Sequence, residues 1–211
     1  MKKRIFSTRV LAEVAIFAAL AFALDVLQGG IFKGIFINGG SIGFAMIPIF
    51  IISYRRGLLP GILCGFILSL IQMLGGIYII QGKTLDGAFM QAAGPFIQVM
   101  LDYVLAYTVV GFAGVFMSFY QKSNSFKSKL IWITLGCLLG GLLKYASHTL
   151  AGLWFWPGEM WGVGGAAYSF LYNGLYCIPN IIISILIMTV IAKAYPSFLS
   201  PDMAKEDNAD E

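Results

Sequence analysis

His148 is the only histidine in the chain, and Lys144 stands four residues before it, so the two share one helix face. Asp102 lies in a separate apolar run, IQVMLDYVLAY, beside Tyr103. A carboxylate inside a hydrophobic segment is costly unless it faces a cavity or a partner. Two readings stand for Asp102. It pairs with Lys144, or it faces an outward-open pocket, where it favours a cation or accepts a hydrogen bond from an amine. After His148 come Gly152 and three of the four tryptophans, Trp154, Trp156 and Trp161, then Tyr168 and Asn173. Ser169, Asn173, Tyr176 and Asn180 follow in steps of four, three and four, which makes one polar stripe down a helix. Each feature has a plain structural reading. Tryptophans form interfacial belts, and a lone histidine or an asparagine stripe joins helices by hydrogen bonds. Taken together, aromatic faces, one carboxylate and neutral donors and acceptors suit a planar, cationic, hydrogen-bonding small molecule.

Catalysis is disfavoured by the same residues. An intramembrane enzyme acting through His148 and Asp102 has no nucleophile in a GxSxG-type setting, although Ser147 and Ser169 are near in sequence. His148 has no partners for a metal site, and no cofactor motif is present. The GxxxxGK[ST] phosphate loop is absent, so any ATP hydrolysis must come from other subunits.

The elements that position these residues are membrane spans. Of 211 residues, 59% are apolar and only 11% charged, against about 25% charged in soluble domains. The net charge of +4 is no nucleic-acid signature, because the basic residues sit in short loops, where they mark topology. Cys64, Cys137 and Cys177 lie inside apolar runs without metal or disulfide spacing. The basic, apolar start reads as a retained first span rather than a signal peptide. Spans are expected at about 10–27, 42–54, 58–80, 94–120, 130–153 and 166–193, the second one short. The expectation is an all-α integral membrane protein. A six-transmembrane-helix bundle fills residues 1–195 as one domain, followed by an acidic, disordered tail over 196–211.

Eleven of the 14 basic residues fall on one side: Lys2, Lys3, Arg4, Arg9, Arg55, Arg56, Lys122, Lys127, Lys129, Lys193 and Lys205. Lys33 and Lys83 fall in the opposite linkers. The excess puts both termini in the cytoplasm and the tryptophan-rich linker outside. Glu13 and Asp25 lie near the ends of the first span and read as interfacial or capping residues. Ala15, Ala19 and Ala23 repeat every four residues along that span, with Ala12 and Ala18 nearby. Such a smooth face packs within the bundle or docks another membrane subunit.

The chain resembles the thiamine-specific substrate-binding (S) components of energy-coupling-factor transporters. The resemblance runs through RVLAEVAIFAALAFAL, AMIPIFIISYRRG, DYVLAYTVVGFAG and, most specifically, HTLAGLWFW followed by YSFLYNG. It implies a six-helix bundle in a bacterial plasma membrane with a pocket near the outer surface, lidded by the first linker. By position it implies ligand contacts at Asp102, Tyr103, His148, Gly152, Trp156, Tyr168, Asn173 and Tyr78. It further implies that the alanine face docks to a transmembrane coupling subunit served by two ATPase subunits. The sequence departs from the family pattern in three places. Asp102 stands where a glutamate is expected. The first linker lacks a tryptophan expected to help cover the ligand, with Phe32 or Phe36 as its substitute. The third–fourth linker is longer than usual.

Overall fold

The computed structural model describes residues 6–31, 35–36 and 39–201. The expectations for Lys2, Lys3, Arg4, Phe32, Lys33 and Lys205, and for the tail beyond 201, lie outside these residues. The described chain is mostly helical: α1 (Thr8–Ile31), α2 (Met46–Arg56), α3 (Leu58–Leu74), α4 (Ala88–Lys122), α5 (Phe126–Phe155), α6 (Gly165–Ala194) and α7 (Pro196–Leu199). Among the described residues, α1, α4, α5 and α6 are long and apolar enough to cross a membrane, and α3 is a shorter apolar helix.

The second helix is the centre of the fold. Every residue from Met46 to Tyr54 is buried, as befits a helix that is apolar all round. At ~1.5 Å per residue its 11 residues reach only about half-way across a bilayer core. It is short because residues 39–45, which precede it, are not helical. Backbone left without helical hydrogen bonds beside the buried α2 needs polar partners from the protein. Two buried amides supply them. Gln28 Oε1 accepts from the N–H groups of Phe44 (2.8 Å) and Ala45 (3.2 Å). Asn180 Oδ1 accepts from Gly43 N–H at 2.7 Å, and its Nδ2 donates to Ser41 O at 2.9 Å.

Three expected boundaries shift. The third span, expected to 80, ends at Leu74, because Gly75 and Gly76 follow and Gly76 takes φ +108°. The segment 77–81, apolar up to Ile80, is then not helical. The fourth helix starts at Ala88 rather than near 94. The chain past 195 folds back as α7, whose Leu199 is fully buried. The all-α expectation has one local exception, a short hairpin of β1 (Glu159–Met160) on β2 (Val163–Gly164) in the tryptophan-rich linker.

Glu13 and Asp25 are not simple interfacial residues. The Glu13 carboxylate accepts from both Arg55 (3.1 Å) and Arg56 (2.5 Å), clamping α1 to the turn between α2 and α3. Asp25 points inward and accepts from Gln28 (3.0 Å), Gln72 (2.6 Å) and Tyr107 (3.0 Å), tying α1 to α3 and α4. Lys144 does not pair with Asp102; its Nζ sits 3.4 Å from the centroid of the Tyr107 ring. Replacing Glu13 by Gln removes the charge shared by two arginines. It is expected to lower stability by about 1–3 kcal/mol in thermal unfolding of detergent-purified protein; an unchanged melting temperature contradicts the clamp.

Candidate functional site

The fourth helix changes its winding where the chemistry sits. Residues Met100–Val104 form a π-helical turn, which carries Asp102 and Tyr103. Such a turn widens the helix and loosens its regular carbonyl pattern, and it recurs at functional sites. Neighbouring helices supply donors to the carbonyls here: Ser147 Oγ donates to Leu101 O (2.7 Å) and Ser69 Oγ to Val104 O (3.1 Å).

Asp102 and Tyr103 open into a cavity between α4, α5, α6 and residues 39–40 of the first linker. Counting the open space at its mouth, the cavity spans about 630 Å³. His148, Gly152 and Trp156 enter the wall from α5 and its end; Tyr168 and Asn173 enter from α6. Seven of the eight expected ligand residues therefore share one wall. Tyr78 does not line the cavity. Its ring lies 5.4 Å from that of Trp156, and its N–H donates to Tyr103 Oη at 3.1 Å. It supports the wall from outside.

The carboxylate of Asp102 is used asymmetrically. Oδ2 accepts from Trp156 Nε1 at 2.8 Å and from Gln98 Nε2 at 2.8 Å. Oδ1 lies 3.9 Å from His148 Nδ1. The indole is thus fixed by its N–H, which leaves its ring as a preset surface. On the facing helix, Asn173 Nδ2 donates to Ser169 O (2.9 Å), and Tyr176 Oη donates to Asn173 Oδ1 (2.5 Å). Ser169 Oγ in turn donates to Thr149 O at 2.8 Å. Gly152 is required by this packing: a Cβ there would lie 2.2 Å from Ser169 Oγ and 3.2 Å from Asn173 Nδ2.

Sequence reasoning left Tyr172, Tyr176 and the Gly39–Gly40 pair out of the ligand wall. The signal for the tyrosines was present, since Tyr168, Tyr172 and Tyr176 recur every four residues. Tyr172 Oη donates to Gly39 O at 2.8 Å, and Phe36 meets the rings of Tyr172 (6.1 Å) and Tyr176 (5.4 Å) edge-on. Of the two phenylalanines expected to cover the pocket, Phe36 thus packs on its rim. Trp154 and Trp161 are exposed, as belt residues are.

A family model described as thiamine transporter protein (Thia_YuaJ) matches residues 11–200. The chain belongs to this family. It is 30% identical over 198 residues to the thiamine transporter ThiT of Bacillus subtilis (strain 168), covering 92% of this chain and 95% of that one. It is 27% identical over 202 residues to ThiT of Lacticaseibacillus paracasei, covering 92% of each chain. The solved structure of ThiT from Listeria monocytogenes superposes with a TM-score of 0.72 at 27% identity, over 92% of this chain and 98% of that one. The family and these relatives are transport proteins, not enzymes.

The close approach at Gly152 makes a testable point. Gly152→Ala must push Ser169 off Thr149 and is expected to cost about 1–3 kcal/mol in thermal unfolding of ligand-free protein. Gly29→Ala, where a Cβ meets nothing within 4 Å, serves as the neutral control. Equal melting temperatures for the two variants contradict the packing role.

Proposed function

We propose that this chain is the substrate-binding subunit of an ATP-driven vitamin importer of the energy-coupling-factor type, and that its ligand is thiamine. The observation that carries the reading is the wall that joins Asp102 to Trp156. Thiamine is planar in parts, cationic at its thiazolium ring, and bears an amine on its pyrimidine. A ring face attracts the cation, Asp102 Oδ1 supplies charge or accepts from an amine, and Asn173, Tyr168 and His148 read the polar edges. Phe36 and the Gly39–Gly40 strip cover the ligand from the first linker.

The same reading places six spans in the plasma membrane of a bacterium, with both termini in the cytoplasm. Its support is the one-sided distribution of lysine and arginine. The short α2 and α3 then cross together with the four long helices, their outer halves replaced by the pocket and its linkers. Residues 1–195, extended by α7, form a single domain, and the acidic tail to 211 stays in the cytoplasm. Ala15, Ala19 and Ala23 are exposed on α1, away from the bundle core. This smooth face fits close docking to a transmembrane coupling subunit, with two ATPase subunits supplying the energy. No phosphate loop occurs in this sequence, in keeping with that division of labour.

Two outcomes follow. Thiamine titrated into purified protein should quench tryptophan emission, and Asp102→Ala should weaken binding about tenfold or more. No quench and no heat up to millimolar thiamine contradicts the ligand assignment. Ala19→Trp should leave thiamine binding unchanged and abolish uptake by cells carrying the coupling and ATPase subunits, because a large side chain holds the partner helix away. Full uptake by this variant contradicts docking through α1.

A further inference from the structure

Gln98 does not line the cavity, yet its side chain is fully buried beside it. It sits on α4 one turn before Asp102, and its two polar ends have different jobs. Its Oε1 accepts from the backbone N–H of Ile80 at 3.3 Å. Its Nε2 donates to Asp102 Oδ2 at 2.8 Å. The assignment of the amide is forced: Ile80 N–H can only donate, so the oxygen faces it, and the carboxylate can only accept while ionised. Trp156 Nε1 occupies Oδ2 as well, also at 2.8 Å. Both fixed donors therefore converge on one oxygen, and Oδ1 is left on the side of His148.

We propose that Gln98 is a specificity-determining positioning residue, which aims Asp102 Oδ1 at a cationic or amine-bearing ligand by holding Oδ2 to the outer linker. The proposal rests on the thiamine reading above. Gln98 touches no ligand; it acts through Asp102. Three links make this more than an ordinary pair of side chains one helix turn apart. The anchored residue, Ile80, belongs to the non-helical segment that also places Tyr78 against Trp156. Tyr103, the neighbour of Asp102, bonds that segment at Tyr78. Trp156, the second donor to Oδ2, is itself part of the cavity wall. Linker, carboxylate and indole are thus one unit, and Gln98 is its buried joint. Without that joint Asp102 can rotate, and its charge is no longer directed to one place in the cavity.

The test compares thiamine with a neutral analogue in which a thiophene ring replaces the thiazolium. Binding of both is measured calorimetrically to the unsubstituted chain, Gln98→Met, Asp102→Ala and the double variant. Gln98→Met is expected to weaken thiamine about tenfold and the neutral analogue by less than about threefold. In the Asp102→Ala background the same change is expected to alter thiamine affinity by less than about twofold, because the effect travels through the missing carboxylate. Equal losses for both ligands, or the same loss with and without Asp102, overturn the proposal and leave Gln98 a structural residue. Should Gln98→Met fail to fold, Gln98→Asn, one methylene too short to reach both partners, carries the same expectations. Absence of thiamine binding by the unsubstituted chain overturns the thiamine reading and this proposal with it, whereas binding with additive losses overturns this proposal alone.

Discussion

Two N–H groups on one oxygen of Asp102 set the geometry on which the site depends. A carboxylate at this depth is expensive to desolvate, and it persists only where donors meet it. Trp156 and Gln98 meet it from opposite sides of the chain order, one from the end of α5 and one from within α4. The π-helical turn at Met100–Val104 makes this possible by widening the helix at the residue that carries the charge. Its carbonyls find partners in Ser147 and Ser69, so the irregular turn leaves little polar backbone without a donor. The consequence is an electrostatic feature with a direction. One oxygen holds the architecture, and the other lies on the His148 side of the cavity wall.

The same constraint explains the rest of the pocket half of the molecule. A pocket between helices needs non-helical chain around it, and buried non-helical chain needs internal hydrogen bonds. Three buried amides meet that need. Gln28 and Asn180 hold residues 41–45 in front of α2, and Gln98 holds residue 80 behind α3. This is why α2 and α3 are short: the pocket-side parts of both paths are given to segments that build or support the cavity wall. The opposite half has no such demand. It is closed by apolar packing around α2 and by the Glu13–Arg55–Arg56 clamp.

Part of the cavity wall was legible from spacing. Ser169, Asn173 and Tyr176 of the polar stripe line it, His148 and Trp156 stood out by residue type, and Gly152 came only with the resemblance. The resemblance added Tyr103 and the expectation of a ligand contact at Asp102. What spacing could not supply were partners distant in sequence. Gln28 and Asn180 act on the same linker from opposite ends of the chain, and no local pattern joins them. Asp25 looked interfacial by position, but three side-chain donors draw it inward. Tyr78, expected at the ligand, packs on the ring of Trp156 and does not itself line the cavity. The end of α3 was misread because 77–80 is as apolar as the helix before it, and hydropathy does not register a backbone turn.

The most direct test is a structure of the chain with thiamine bound, at a resolution that separates the two oxygens of Asp102. The account predicts a thiamine donor or its cationic ring against Oδ1, at about 2.7–3.2 Å for a hydrogen bond, with Trp156 and Gln98 still on Oδ2. It also predicts that the Trp156 ring packs on the ligand. Thiamine seated elsewhere in the molecule, or Asp102 turned away from it with both N–H bonds lost, contradicts the account.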